Sequence, residues 1–379
     1  MDGEKMSGVK RALIVGGGIG GMSAAICLRR RGVDVQVVDL DPEWRVYGAG
    51  ITITGPTLRA FRELGILDEI AAQAYTGHGI QICDVLGRPL RVVATPVVGD
   101  GDLPGSGGVM RPVLHAVLSR RTLDSGARVS LGVTVASLEQ DDDGVSVRFS
   151  DGSTGRYDLV IGADGIFSRI RTLVFPDAPA PAFTGQCAWR LVVPRAPGID
   201  RRHFFLGGPV KVGLNPVSDS EMYMFLLEPL AEPNRIEERG LASGLAALMQ
   251  GYGGILAEIR EQLDDTSRIV RRPLEGFLLP APWYRGRVVL IGDAAHPTTP
   301  QLASGAGMAV EDALVLATEL EAAQGVAQAL QRFMRRRYER CRLVVQNSLE
   351  IGRLEQAKAP VERQAALVEE SLAVLAQPI

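Results

Sequence analysis

The sequence predicts an α/β protein in which a Rossmann-like domain is interleaved with a second domain built on a mixed β-sheet, followed by a C-terminal helical segment. Three observations lead to this prediction. Residues 12–39 read as strand, glycine-rich turn, helix and strand, which is the outline of a βαβ unit. Further strand and helix signals of this type fall in two later, separated blocks. Because β-rich blocks lie between the three, two domains that alternate along the chain explain the order.

The remaining elements follow from local patterns. Glycine-rich turns from residue 48 lead to a helix with apolar positions Leu58, Phe61, Leu64 and Leu67. Later segments are predicted as strands and loops (76–105), a helix (111–126), a strand series (129–165), three strands (183–228) and helices (235–263, and on to the C-terminus). The predicted domains are 8–75, 106–172 and 281–330 for the first, 76–105 and 173–280 for the second, and 331–379 for the C-terminal helices.

Composition excludes several classes of partner. The chain has 379 residues, 46 % of them apolar, and a formal net charge of −3, which gives no electrostatic reason to expect nucleic acid or an acidic membrane as partner. The four cysteines form no C-x-x-C, so we expect neither a metal site nor a disulfide framework. No uncharged apolar run reaches about 18 residues, so we expect a cytoplasmic protein without a membrane span. The arginine-rich run 332–342 is interpreted as a solvated helix face.

A glycine motif at the first turn predicts a nucleotide site. Gly16, Gly18 and Gly21 form G-x-G-x-x-G between a strand and a helix, and Asp39 ends the next strand. These glycines permit a tight turn, backbone approach to a pyrophosphate and close helix packing, and the acid can bind a ribose. The alternative is a glycine-rich turn without a ligand. Only one such motif occurs, so one dinucleotide is held permanently and any second one visits.

Two further motifs place acids at strand ends. In "DLVIGADGIFSRIR" an apolar run ends at Asp164-Gly165, although an ordinary strand and turn would read the same. In "RVVLIGDAAHPTTPQ" the run ends at Gly292-Asp293, and a glycine-rich loop behind it opens a helix. Such an acid can accept hydrogen bonds from a ribityl chain, and the positive helix end can face a flavin ring.

Together, in this order and spacing, the three motifs resemble the single-component FAD-dependent aromatic hydroxylases, which include the para-hydroxybenzoate, salicylate and bacterial urate hydroxylases. The resemblance covers roughly residues 10–345. It implies that the loop from Pro297 to Met308 borders the flavin ring and that Asp164 also serves a visiting NAD(P)H. The FAD-binding residues that it implies are Gly16, Gly18, Ile19, Gly20, Gly21, Asp39, Arg111, Asp164, Asp293, Gly305, Ala306, Gly307 and Met308.

The resemblance also implies the chemistry. FAD is reduced by NADH or NADPH, reacts with O2 to a flavin C4a-hydroperoxide, and an oxygen atom passes to an electron-rich aromatic or heteroaromatic small molecule by hydroxylation or epoxidation. Two alternatives stay open: a reductase or dehydrogenase that keeps FAD, and a non-catalytic binding protein with this fold. The intact glycines and acids argue against the second. We expect a monomer or a homodimer.

Candidate substrate contacts come from the strands of the second domain. Alternation in "VKVGLNPV" places Lys211 opposite an apolar face, where it either meets water or binds an anionic ring or carboxylate. Tyr223 either packs in the sheet or forms a hydrogen bond with the substrate. Arg190, in another of these strands, is a further candidate for contact with the substrate. The surroundings of Lys211 and Tyr223 are similar to the urate hydroxylase type, but lysine replaces its arginine and cannot make the two-point contact of a guanidinium, which disfavours urate itself.

Two residues of the Gly-Asp loop complete the candidates. Pro297 is assigned to the reactive site because it begins the loop at the ring's edge. His296 is interpreted as a structural residue whose ring packing and hydrogen bond hold the turn, with an acid/base role as the alternative.

Overall fold

The computed structural model describes residues 8–46, 48–99, 101–234 and 237–379. Its strands are β1 (Arg11–Val15), β2 (Asp34–Asp39), β3 (Gly50–Thr54), β4 (Tyr75–Gly77), β5 (Ile80–Cys83), β6 (Pro89–Val93), β7 (Ser106–Met110), β8 (Arg128–Leu131), β9 (Val135–Gln140), β10 (Val145–Phe149), β11 (Thr154–Tyr157), β12 (Leu159–Gly162), β13 (Ala182–Pro194), β14 (Arg202–Phe205), β15 (Lys211–Pro216), β16 (Glu221–Pro229), β17 (Ile269–Gly276), β18 (Tyr284–Arg285) and β19 (Val288–Leu290).

The helices pack around these strands. They are α1 (Ile19–Arg29), α2 (Gly55–Leu64), α3 (Leu67–Ala71), α4 (Arg111–Asp124), α5 (Arg169–Val174), α6 (Leu241–Leu248), α7 (Ile255–Glu261), α8 (Gly305–Ala322), α9 (Val326–Gln356) and α10 (Val361–Ala376). The predicted helical stretch 235–263 begins on two residues, 235 and 236, that lie outside the described residues.

A six-stranded sheet carries the predicted βαβ unit. Its order is β18-β19-β12-β1-β2-β8, and all pairs are parallel except β18 with β19. The central strands β1 and β12 are largely buried, and α1 packs against both α4 and α8. Three strands that end in predicted motifs, β1, β12 and β19, are therefore adjacent, and their carboxyl ends share one edge.

A seven-stranded mixed sheet forms the second layer, in the order β17-β13-β16-β15-β14-β5-β6. Only β14 and β5 pair in parallel. One face buries Trp189 and Leu226 against Leu245 of α6 and Leu256 of α7. The fold class predicted from the sequence is confirmed. All seven strands come from segments assigned to the second domain, while the domain bounds themselves stay a prediction.

Local predictions differ from the structure in short elements. The helix predicted to reach Leu67 ends at Leu64, because Gly65 adopts a left-handed conformation (φ 73°) and a separate helix follows. Five strands are not predicted from the sequence, namely β3, β7, β14, β17 and β18. Of these, β3 and β14 have five and four residues, too few for alternation to stand out among neighbouring turns.

The interpretation of the arginine-rich run as a solvated face is wrong for its centre. Arg337 of α9 is fully buried, and its guanidinium pairs with Asp312 (Nε to Oδ1, 2.7 Å) and Glu311 (Nη1 to Oε2, 2.7 Å) of α8. Arg340, one turn later, also pairs with Glu311. Both acids lie in a stretch read from sequence as an ordinary helix, so the pairing could not be inferred. Among the described helices, none is long and apolar enough to cross a membrane.

Candidate active site

One large cavity, of about 450 Å³, lies between the two sheets. One end is lined by the glycine turn after β1, represented by Gly18 and Ile19. The other end is lined by the open face of the seven-stranded sheet, represented by Arg190 and Tyr223. The three predicted motifs and the predicted substrate strands therefore meet in a single space.

The glycine turn is shaped for a bound phosphate. Gly16 has φ 106°, and a Cβ there would lie 2.3 Å from the carbonyl oxygen of Ala163. A Cβ on Gly21 would lie 1.9 Å from the carbonyl oxygen of Gly16, so these two glycines permit the turn and the close helix packing. A Cβ on Gly18 would meet no atom within 4 Å, because this side faces the cavity. Gly18, Ile19 and Gly20 line the cavity at the positive end of α1.

Asp39 lies beside this turn, as predicted. Its Oδ2 accepts a hydrogen bond from the Gly17 amide (2.6 Å) and its Oδ1 from the Asp41 amide (2.8 Å). Trp44 donates from Nε1 to the Gly17 carbonyl (2.9 Å) and also lines the cavity. These bonds fix the carboxylate while leaving lone pairs that can accept from ribose hydroxyls.

Asp293 opens onto the middle of the cavity. It follows Gly292, whose φ of 57° turns the chain sharply after β19. Its position deep in the protein raises the pKa of Asp293, while the charges of His296 and Arg111 oppose the rise. Arg111, the first residue of α4, lines the opposite wall, and burial lowers its pKa while Asp293 opposes that. The two charges partly compensate each other.

His296 does not line the cavity. Its Nε2 is 2.6 Å from Oδ2 of Asp312, and its ring lies 4.9 Å, centroid to centroid, from that of Trp283. The same Oδ2 accepts from the Gly292 amide (2.8 Å), so the pair anchors the turn that presents Asp293. This geometry is that of a turn-holding residue, and the burial of His296 outside the cavity lining argues against an acid/base role.

The ligand atoms of His296, Asp312 and Cys341 lie within 4.8 Å of one another, a possible metal-binding donor set. However, both oxygens of Asp312 are already occupied by the histidine, the Gly292 amide and the Arg337 guanidinium. A cation would sit beside the buried positive charge of Arg337. The cluster is therefore a closed hydrogen-bond network and does not fit a metal ion.

The carboxylate of Asp164 forms hydrogen bonds within its own turn and does not line the cavity. Its Oδ1 accepts from the Ser168 hydroxyl (2.5 Å) and its Oδ2 from the Ile170 amide (3.0 Å). Ser168 in turn caps α5. The neighbours Ala163 and Gly165, rather than Asp164 itself, line the cavity.

The loop before α8 meets the cavity through some of its predicted residues. Gly305 and Ala306, at the positive end of α8, line it. Gly307 and Met308 lie behind the wall: a Cβ on Gly307 would lie 2.4 Å from Oγ1 of Thr57, and Met308 is 2 % exposed. Pro297 is also buried outside the lining. Its place at the wall is taken by residues 298–301, which include Pro300.

The face of the seven-stranded sheet brings the predicted substrate residues together. Arg190 pairs with Phe225, which pairs with Gly213, so these residues form one row across three strands. Tyr223 lies two residues along, and its hydroxyl is 2.5 Å from Oγ1 of Thr52, which also accepts from Asn215 Nδ2 (3.0 Å). Tyr223 is thus held in place by a polar chain and faces the cavity.

Lys211 does line the cavity, but it neither projects into solvent nor stands free. Its Nζ lies 2.5 Å from Oε1 of Glu355, a residue 144 positions later in α9. The other oxygen of Glu355 accepts from Nε2 of Gln301 (3.2 Å) and of Gln186 (3.3 Å). The charge of Lys211 is therefore balanced inside the protein.

Sequence reasoning did not single out the wall residues Thr52 and Arg202, or Glu355, which lies outside the cavity lining as the partner of Lys211. Thr52 and Arg202 lie in the short strands β3 and β14, which no local pattern predicts. Gln301 lies in the predicted loop 297–308, although it was not named as a candidate. Glu355 carries no motif.

A dinucleotide cradle lies at one end of the cavity, and aromatic and charged side chains line the other end. This arrangement is that of a nucleotide-dependent α/β enzyme. The family model described as "FAD binding domain" matches residues 10–348. The chain is 31 % identical to the putative FAD-dependent monooxygenase YetM of Bacillus subtilis, over 91 % of this chain and 94 % of that protein. It is 34 % identical to the 2-heptyl-3-hydroxy-4(1H)-quinolone synthase of Pseudomonas aeruginosa, over 92 % and 90 %.

A solved structure agrees with these relatives. The fold matches that of Klebsiella pneumoniae HpxO complexed with FAD and uric acid with a TM-score of 0.86 and 26 % identity, covering 99 % of each chain. The chain belongs to the FAD-binding-domain family and, within it, to the FAD-dependent monooxygenases of the aromatic hydroxylase type.

Proposed function

We propose that this monooxygenase uses NADH or NADPH and O2 to hydroxylate or epoxidise an electron-rich aromatic or heteroaromatic small molecule. The observation that carries the proposal is the single cavity that joins the nucleotide turn, the Gly292-Asp293 turn and a substrate-sized compartment. The name of a relative that synthesises 2-heptyl-3-hydroxy-4(1H)-quinolone, and the complex of a solved relative with uric acid, support this substrate class.

The residues present fit FAD. The open side of Gly18 leaves room for a pyrophosphate that the amides of Ile19 and Gly20 can bind. Asp39 would bind the adenosine ribose and Asp293 the ribityl chain. Gly305 and Ala306, which line the cavity at the start of α8, would offer their amides to the flavin ring. When bound and reduced, FAD would supply the electrons that activate O2, and the transferred oxygen atom would come from that O2.

The protein's own residues orient the substrate beside that ring. Phe204 and Phe225 lie edge to face at 5.8 Å and form an apolar wall that can pack against an aromatic substrate. Gly213 permits this arrangement, because a Cβ there would lie 2.4 Å from the Phe225 ring. The Tyr223 hydroxyl is held by Thr52 and can form a hydrogen bond with a hydroxyl on the substrate's ring. This bond would favour the electron-rich form of the substrate.

The test begins with the purified protein. We expect a yellow protein whose NADH or NADPH oxidation and O2 uptake rise when a phenolic or heteroaromatic ligand is added. Product analysis with labelled O2 should place one labelled oxygen atom in the substrate. Absence of flavin after mild purification would contradict the proposal. Full turnover without O2 would favour the reductase or dehydrogenase alternative.

A further inference from the structure

The nucleotide end of the cavity is lined by two ring residues to which the motifs assign no role. Trp44 follows β2, and His115 lies in α4. Asp39 lines the same end of the cavity. All three tryptophans of the chain lie in the described ranges, and Trp44 alone lines the cavity, because Trp189 and Trp283 are buried in the protein's interior. An aromatic surface is therefore present beside the acid predicted to bind a ribose.

Trp44 has a backbone conformation that a bulky residue rarely adopts. Its φ is 48°, in the left-handed region that favours glycine. Its amide donates to the carbonyl oxygen of Asp41 (3.2 Å), and its Nε1 donates to that of Gly17 (2.9 Å). Its ring lies edge to face with the ring of His115, at 5.7 Å between centroids. Such conformations persist only where the surroundings impose them, and they cluster at ligand sites. The indole is thus oriented by the protein itself.

His115 supports the indole without adding a charge. Burial lowers the pKa of His115, although the charge of Asp39 opposes this shift. The imidazole is therefore neutral at neutral pH, and the lone pairs of Asp39 that its two backbone donors leave unused stay available to ribose hydroxyls. Trp44 and His115 together present an uncharged ring pair next to a carboxylate.

An adenine ring is the part of a dinucleotide that fits such a surface. Nucleotide bases pack on aromatic side chains through their flat faces. In FAD the adenine follows the pyrophosphate and the adenosine ribose, so a ligand held by the glycine turn and Asp39 continues toward Trp44. We propose that the indole of Trp44 is the platform on which the adenine of FAD packs, and that His115 is the positioning residue that holds this platform. The inference rests on the FAD site of the proposed function.

The first experiment compares two flavins that differ only in the adenosine half. FMN has the flavin ring, the ribityl chain and one phosphate of FAD, but no adenosine. The apoprotein is titrated with each flavin, and binding is followed by the change in flavin absorbance. Trp44→Ala should weaken FAD binding about 10- to 100-fold, as truncation of an aromatic side chain under a stacked base predicts, and should leave FMN binding unchanged.

Further variants separate ring packing from folding. Trp44→Phe keeps a ring and should retain most of the affinity for FAD. Trp44→Gly removes the ring and suits the left-handed backbone, so it should weaken FAD binding without lowering the Tm of the apoprotein. His115→Ala should weaken FAD binding less than Trp44→Ala, because it removes the support and leaves the platform. Leu123→Ala, at an exposed position near the other end of α4, is the matched control and should change neither affinity.

A second experiment observes the platform directly and does not depend on FMN. ADP serves as the adenine-containing fragment, and the tryptophan fluorescence of the apoprotein is recorded as it is added. We expect ADP to quench part of the wild-type emission and to leave the emission of Trp44→Phe unchanged, because the other two tryptophans are buried away from the cavity. Loading the enzyme with FAD should abolish the quenching, since both ligands need the same platform.

Three outcomes would overturn the inference. Equal weakening of FAD and FMN binding by Trp44→Ala would place the indole against another part of the flavin. Unchanged FAD binding in Trp44→Ala and Trp44→Gly would remove Trp44 from the site, and ADP quenching that persists in the FAD-loaded enzyme would assign the indole to a different nucleotide. If the wild type binds no flavin or shows no ligand-stimulated O2 uptake, the proposed function fails; if it does both and the Trp44 variants bind FAD as tightly, only this inference fails.

Discussion

The buried arginine behind the Gly292-Asp293 turn provides the sharpest test of how this active site is held. Arg337 donates to Asp312, to Glu311 and, through Nη2, to the carbonyl oxygen of Met308 (3.2 Å). The Arg337→Met variant nearly keeps the volume of the side chain, but the buried carboxylates of Asp312 and Glu311 lose a cation. Removing one partner of a buried pair costs about 3–5 kcal/mol of unfolding free energy. For a chain of this length, that corresponds to a fall in Tm of about 4–6 °C.

The matched control is Arg336→Met, one position earlier. Arg336 pairs with Glu319 at 2.8 Å, but its side chain is 36 % exposed, so the expected loss is at most about 1 kcal/mol. Thermal unfolding of both flavin-free variants measures the difference. Equal Tm values for the two variants, within a degree, would refute the reasoning that the buried network stabilises the fold.

The same network makes a prediction about acid stability. Burial alone would raise the pKa of Asp312, but His296 and Arg337 lower it to about 2, from an ordinary value of 3.8. A depressed carboxyl pKa contributes stability that is present above the ordinary value and is lost as the pH falls through the folded value. The contribution is about 2 kcal/mol. In Arg337→Met the pKa of Asp312 should be less depressed, so the contribution should be smaller and its loss should be complete at a higher pH than in the wild type. Measurement of Tm across the acid range checks this.

Three further predictions concern the cavity itself. Asp293→Ala should weaken FAD binding about 10- to 100-fold, because a charged acceptor is lost; normal flavin retention on titration of the apoprotein would contradict this. Gly18→Ala should weaken FAD binding and leave the Tm of the apoprotein unchanged, because the new Cβ faces only the cavity. Gly21→Ala should lower the Tm of the apoprotein, because its Cβ would lie 1.9 Å from a backbone oxygen. Lys211→Ala should raise the substrate KM with FAD content unchanged. It should also lower the free energy of unfolding by about 1–3 kcal/mol, because the buried Glu355 carboxylate loses its cation. Unaltered stability and an unaltered KM would remove Lys211 from the site.

The cofactor end was predictable because its chemistry is local in sequence. Glycines follow β1, an acid ends β2, and a glycine next to an acid follows both β12 and β19; a parallel sheet necessarily brings such ends to one edge. The motif positions Gly18, Asp39 and Asp293 all line the cavity, while their contacts with FAD stay a prediction. The logic failed for side chains that turn back onto their own loop. The carboxylate oxygens of Asp164 accept hydrogen bonds from Ser168 and from a backbone amide. These local hydrogen bonds compete with binding of a ligand, and the spacing of the motif does not reveal them.

The helical segment after the third motif was harder to interpret. Arg337 falls in the apolar period of Phe333 and Cys341, whereas Arg336 does not, but only a tertiary partner explains how a charged residue can be buried there. That partner lies on α8, and both of its acids were read as ordinary helix residues. A charged residue in a helix pattern is exposed unless a second helix supplies the opposite charge, and such a pairing depends on packing rather than on local sequence.

At the substrate end of the cavity, too, a partner that is distant in sequence decides the charge of a predicted residue. Alternation placed Lys211 and Tyr223 on the correct face, but the charge of that face depends on Glu355, which arrives from α9. Glu355 pairs with Lys211 at 2.5 Å and balances its charge. A residue far along the chain therefore decides the charge that Lys211 presents to the cavity. A substitution in this C-terminal helix would change the charge of the cavity without altering any strand that forms it.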